Sequence, residues 1–229
     1  SDSTMGVINC TCNTSTSSNS SMVFNGPVVL NNASTLFDST NNGTLPTGAN
    51  IEFASGLRGT TANAQAVTLN AGTGGTVTLA VGVGTHAVPM GNLTFTDARK
   101  FNITGNLFAD GITTTNQPYD ITLSGALNEV RSAVTFDNTG TLKLGALAGD
   151  SLTFSGGLTA LAPTGIELAG TITSTQGDVT FGGSPLILLN NTTISAGAGN
   201  VSFGGTVQSD VTGAKSLRVN TSGMATFSA

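Results

Sequence analysis

The chain has no tryptophan, one tyrosine (Tyr119), one histidine (His86) and two cysteines (Cys10 and Cys12) in 229 residues. Charge is just as scarce: charged residues make up 8% of the sequence, against roughly 25% in ordinary globular domains. Each shortage removes a class of function. A nucleic-acid surface needs a concentrated face of lysine and arginine, and here seven scattered basic residues stand against twelve acidic ones. Nucleic acid is not an expected partner. A lone histidine cannot form a histidine pair around a metal, so His86, in Gly84-Thr85-His86-Ala87, reads as a plain loop residue. Two cysteines are half of a structural zinc site. Cys10 and Cys12 read either as inert thiols or as candidates for a disulfide, with each other or with another chain, which needs an oxidising compartment. No apolar run approaches the ~18 residues of a membrane-spanning helix, and no cofactor or metal is implied. The chain opens on Ser1 without a signal segment, which reads as a processed product or a fragment.

What is present in quantity is threonine (38), glycine (31), serine (22) and asparagine (21), together 112 residues. These are poor helix formers, and glycine recurs too often for a long helix. Disorder usually pairs low hydrophobicity with high net charge, whereas here the apolar fraction is 38% and the formal net charge is −5. Ordered β structure with almost no helix is the expectation.

The apolar residues arrive as short alternating triplets, as half-buried strands require. The clearest case is Gly177-Asp178-Val179-Thr180-Phe181-Gly182-Gly183, which returns as Gly199-Asn200-Val201-Ser202-Phe203-Gly204-Gly205. Triplets of this kind begin at Met22, Ile51, Val77, Leu93, Ile121, Val134, Leu152, Val179, Val201 and Ala225. Their separation averages about 22 residues but scatters widely, which a solenoid tolerates because its loops vary while each strand returns above its predecessor. The pattern predicts a right-handed parallel β-helix of about ten irregular coils over residues 22–229. At a strand spacing of ~4.8 Å that is a rod of ~50 Å. Residues 1–21, rich in serine, threonine and asparagine, read as a polar segment, either a linker or an inter-subunit strand.

Two columns are expected. Phe53, Phe95, Phe136, Phe154, Phe181 and Phe203 hold the same triplet position, as do Phe24 and Phe227, and would form one interior aromatic stack. Asn50, Asn92, Asp120, Asp178 and Asn200 precede their strands and would form a corner ladder, tolerating left-handed turns and bonding neighbouring amides.

The stretch Gln65 to Gly74, then Gly75 to Leu79, then Gly91 to Phe95, resembles the repeats of filamentous-haemagglutinin-like and related β-strand-repeat surface adhesins of bacteria. Residues 177–205 and 215–223 fit the same style. The resemblance covers most of residues 50–229. It implies a right-handed parallel β-helix, export across the envelope, and a role in adhesion or surface fibres on host cells or glycans, without recognising the family's secretion domain here. The expected function is a non-enzymatic, secreted, structural or adhesive surface protein that assembles end to end as a homopolymer or forms part of a stalk.

Chemistry is otherwise sparse. The carboxylates Glu52, Asp97, Asp110, Asp120, Glu129, Asp137, Asp150, Glu167, Asp178 and Asp210 are isolated in sequence. Glu52 and Glu167 sit between apolar neighbours and should point outward. Asp178 lacks the glycine spacing of a calcium-binding nonapeptide and is assigned to a turn. No catalytic residue is expected, although β-helices also carry polysaccharide-cleaving chemistry; a carbohydrate-binding or carbohydrate-processing β-helix is the alternative. A β-sandwich pair is a third architecture that short strands with glycine turns would fit. Asn-x-Ser/Thr occurs eleven times, with Asn13, Asn19 and Asn42 in loop-like positions.

Overall fold

The computed structural model describes residues 8–10, 14–15 and 20–228. All regular structure among them is β, every strand pairing is parallel, and there is no helix. The chain winds as a β-solenoid with three faces. On the first face, Met22–Phe24 is followed by Ile51–Phe53, Thr76–Leu79, Lys100–Ile103, Asp120–Leu123 and Thr141–Leu144. The opening parts of Gly165–Thr173 and Leu186–Gly197, then Val207–Ser209, complete that ladder. These nine strands define nine coils, one fewer than expected. The second to the eighth, seven in all, lie between complete neighbours.

The scatter in triplet spacing now has a cause. The ten triplets chosen from sequence are drawn from three different faces, so separations of 13 or 28 residues measure the distance between faces as well as the coil. Along the first face alone, Met22, Ile51, Val77, Phe101, Ile121, Leu142, Ile166, Leu186 and Val207 are in register, 20 to 29 residues apart.

Side-chain alternation sets the packing. Ile51 and Phe53, Val77 and Leu79, Phe101 and Ile103, Leu142 and Leu144, and Ile166 and Leu168 are buried, while Glu52, Thr78, Asn102, Lys143 and Glu167 between them look outward. A period of two on every face sends every second residue into one shared interior. Glu52 and Glu167 therefore point outward, and Glu167 lies 4.0 Å from Lys143 of the preceding coil.

The third face is spliced. Ser34–Asp38, Ala66–Asn70, Met90–Asp97 and the later part of Asn106–Thr114 form its first half. Val134–Thr135, Leu158–Ala160, Val179–Phe181, Val201–Phe203 and Ala225–Phe227 form a separate five-stranded ladder. At the junction the Thr114 side chain takes the place of backbone pairing: its hydroxyl donates to the Thr135 carbonyl at 3.2 Å and accepts the Asp137 N–H at 2.7 Å.

Two short strands from the amino-terminal segment, Ile8–Cys10 and Thr14–Ser15, pair in parallel with Val28–Leu30 and with Phe37 and Asp38, so this part of residues 1–21 joins the solenoid within the same chain. Cys12 and the side chain of Cys10 lie outside the described residues, and with them the candidate disulfide.

Candidate functional site

The interior phenylalanines do not form one stack. Phe24 and Phe53 sit on the first face, Phe154 on the second, and Phe95, Phe136, Phe181, Phe203 and Phe227 along the third. Equal positions within a triplet do not mean equal faces, so the rings meet in small groups. Phe24 and Phe53 are parallel at 4.9 Å, with Phe37 edge-on to both. Phe95 stacks at 4.5 Å on Phe101, a residue of the first face. Phe136 meets Phe154 edge-to-face at 6.1 Å, and Phe203 stacks between Phe181 and Phe227.

The corner residues are likewise shared among corners, and their bonding differs from an amide ladder. Each of four uses its side-chain oxygen to accept a backbone N–H from the next coil. Asn50 accepts from Thr76 at 2.9 Å, Asp120 from Thr141 at 2.8 Å, Asp178 from Asn200 at 2.7 Å, and Asn200 from Met224 at 2.9 Å. Asn106 and Asn191 do the same toward Leu127 and Ser216. These hooks satisfy amides that turn away from the strand ladder at each corner. Asn92 is different: its amide donates to the Thr94 and Thr113 hydroxyls along the face. Asp178 and Asn200 alone among the five occupy consecutive coils of one corner.

The glycine ahead of each of those two residues has its own reason. A Cβ on Gly177 would lie 2.2 Å from the Gly156 carbonyl oxygen, and one on Gly199 would lie 2.2 Å from that of Gly177. The coils touch backbone to backbone at this corner. The Gly-Asp and Gly-Asn pairs combine close approach with an inter-coil hook.

His86 has partners that the sequence did not suggest. Its Nδ1 lies 2.9 Å from a Glu129 carboxylate oxygen, and its ring meets the edge of Phe108 at 6.0 Å. Phe108 is an outward-facing aromatic of the second face, and the Thr85–Val88 turn carries His86 over it. Beside it, Arg131 donates to Asn63 at 3.2 Å. Tyr119 is buried and satisfied. Its hydroxyl donates to the Phe95 carbonyl at 3.0 Å and accepts the Thr115 N–H at 2.8 Å, and its ring packs edge-on against Phe101. Burial pushes its phenol above 10.0, against the lowering effect of its bonds to Thr115.

The longest coil-closing segment, residues 39–50, builds one wall of a cleft. Buried Asp38 anchors it, accepting the Thr40 N–H and hydroxyl on one oxygen and the Asn42 N–H on the other. Asn41 and Asn42 follow with φ of 52° and 53°, a left-handed pair that suits asparagine. Asn42 of the Asn-Gly-Thr triplet is exposed there, whereas Asn13 and Asn19 lie outside the described residues. The cleft, about 290 Å³, is lined by Thr40, Asn70, Thr96, Asp97, Thr115 and Gln117, and equally by Gly43 and Pro46. Its only carboxylate is Asp97. Burial raises the Asp97 pKa above 3.8, with the Ala98 N–H working in the opposite direction.

The remaining carboxylates do not converge. Among the described residues no three of His, Cys, Asp and Glu lie together as a metal site. No helix there is long and apolar enough to cross a membrane.

The fold and these contacts define the chain as a parallel β-solenoid repeat protein. Comparison with protein-family models, with curated proteins and with solved structures finds no match.

Proposed function

We propose that this chain is a non-enzymatic structural segment of an extracellular surface protein, a solenoid stalk whose role is adhesion or fibre formation. The observation that carries the reading is the parallel stack: nine coils whose first-face strands run in continuous register over a mainly apolar interior, with corner hooks between successive coils. Eight steps of ~4.8 Å make a rod of ~38 Å, and its outward positions are mainly threonine, asparagine and serine. The resemblance of residues 65–95, 177–205 and 215–223 to β-strand-repeat adhesins points the same way.

The last described coil is the least enclosed. Its inner residues Val207, Leu217 and Val219 are only partly buried, and Phe227 is 58% exposed while stacked on Phe203. A further coil, from the same chain or from a second copy, would cover them and pair the open strand edges. Electron micrographs and sedimentation of the purified chain over rising concentration test this reading. Rods that lengthen by end-to-end contact are expected, and compact particles with no elongated axis would rule it out.

A further inference from the structure

We propose that the cleft beside Asp97, whose walls are largely apolar carbon with a few polar groups set into them, binds one neutral sugar residue through its hydroxyl groups. The cleft is assembled from four successive coils: Thr40 from the first, Asn70 from the second, Thr96 and Asp97 from the third, and Thr115 and Gln117 from the fourth. A ligand there would touch side chains spread over ~14 Å of the axis, a surface that no single repeat presents. The volume of about 290 Å³ falls at the lower edge of the roughly 300–1,000 Å³ typical of small-molecule sites. That suits one ring, such as the terminal residue of a glycan, better than an internal stretch of polysaccharide.

The lining chemistry selects the class. Asp97 is half-buried and takes part in no ion pair among the described residues, with the Ala98 N–H favouring its charged form. Its remaining lone pairs call for donors, and two adjacent sugar hydroxyls can supply them to the two carboxylate oxygens together. The Thr40 and Thr115 hydroxyls and the Asn70 amide are already bonded within the protein and shape the wall, which leaves the Thr96 hydroxyl and the Gln117 amide to donate and accept beside Asp97, as sugar hydroxyls do. No lysine or arginine lines the cleft, so an anionic ligand would meet Asp97 without compensation. Calcium asks for six to eight oxygen ligands, several of them usually carboxylates, and here there is one. No aromatic ring offers a stacking platform, so affinity per site is in the millimolar range and gains strength when many copies are displayed. The inference goes beyond the stalk reading and stands whether or not the rod polymerises.

The test is saturation-transfer NMR on the whole chain with the methyl pyranosides of glucose, galactose, mannose and N-acetylglucosamine at millimolar concentration. At least one should receive saturation. Asp97→Asn and Gln117→Ala should each weaken it by about tenfold or more, the scale of losing a hydrogen bond to a buried polar group. Melting curves of both variants should show no loss of stability, which separates binding from folding. The proposal is overturned by no transfer to any of the four sugars, by transfer that both variants retain, or by tight Ca²⁺ binding that Asp97→Asn abolishes. Rod formation is read separately in the micrographs, so failure here leaves the stalk reading standing, and the converse also holds.

Discussion

Tyr119 shows how one side chain joins two coils. Its hydroxyl bridges the Phe95 carbonyl and the Thr115 N–H, so Tyr119→Phe leaves both without their partner. We expect a loss of about 1–3 kcal/mol, the cost of an unsatisfied buried group, measured by denaturant unfolding. As the only tyrosine in a chain without tryptophan, it also reports its own ionisation. The folded state holds the phenolic proton more tightly than the unfolded chain does. This contribution to stability is therefore complete below pH 10.0 and is lost as pH rises through the raised value. Phenolate absorbance should appear later in the folded protein than in denaturant, with thermal stability falling over the same interval. Asp97 works in the same direction at acid pH. Its carboxyl is raised from 3.8, so its contribution is complete below that pH and is lost on going to neutrality. Asp97→Asn should therefore match or exceed the parent in melting temperature at neutral pH, with the difference shrinking in acid. A variant that melts well below the parent at neutral pH would contradict this.

Strands and corners obey a different constraint, the fixed distance between coils. At the corner where Gly156, Gly177 and Gly199 stack, a methyl added to Gly177 or Gly199 meets the carbonyl oxygen of the preceding coil's glycine at 2.2 Å, well inside contact distance, and backbone there leaves nothing flexible to yield. Gly177→Ala and Gly199→Ala should each destabilise by several kcal/mol or disrupt folding of the corner, since overpacking typically costs ~1–3 kcal/mol even where side chains can adjust. Gly183→Ala, with open space around its position, is the matched control and should be near neutral. The same logic applies at the splice in the third face. Thr114→Val keeps the shape but removes the hydroxyl that holds Thr135 and Asp137. A loss of about 1–3 kcal/mol is expected, with faster amide exchange confined to residues 134–137. Uniform acceleration along the rod would contradict the local role.

Over the molecule as a whole, a solenoid is close to one-dimensional: each coil rests on its neighbours and on nothing further away. Protection should therefore be graded along the axis. Hydrogen exchange should be slowest in the middle coils, where Leu123, Phe136, Leu144 and Phe154 are fully enclosed, and fastest in the last, where Val219 is half-buried and Phe227 is exposed. Phe136→Ala should cost about 3–5 kcal/mol as a buried cavity. Phe227→Ala should cost far less, unless a further coil covers it; a large effect of Phe227→Ala that appears only at high protein concentration would identify that coil as a second copy.

The architecture was legible because its rules are local. Alternation in Ile51-Glu52-Phe53 or Val179-Thr180-Phe181 assigns inward and outward residues before any partner is known, and the near-absence of helix follows from composition. The hooks were half legible: Asp178 and Asn200 stood out as pre-strand residues, but their acceptor role depends on which amide the next coil brings within reach. The His86–Glu129 contact joins residues 43 apart in sequence, and no spacing rule connects them. The cleft gathers Thr40, Asn70, Asp97 and Gln117 from four coils, and nothing in any one repeat marks them as neighbours.

A β-strand's period of two is a property of the backbone, so residue order settled that this chain is β, that it repeats, and which side chains are buried. Which face each triplet joins depends on the lengths of the intervening corners, and those act only once the coils are stacked. Phe53, Phe154 and Phe181 look alike in sequence and stand on three different walls, because a few residues more or fewer at a turn rotate the next strand onto another face. Every contact between coils, from the Gly177 approach to the cleft at Asp97, is settled at that step.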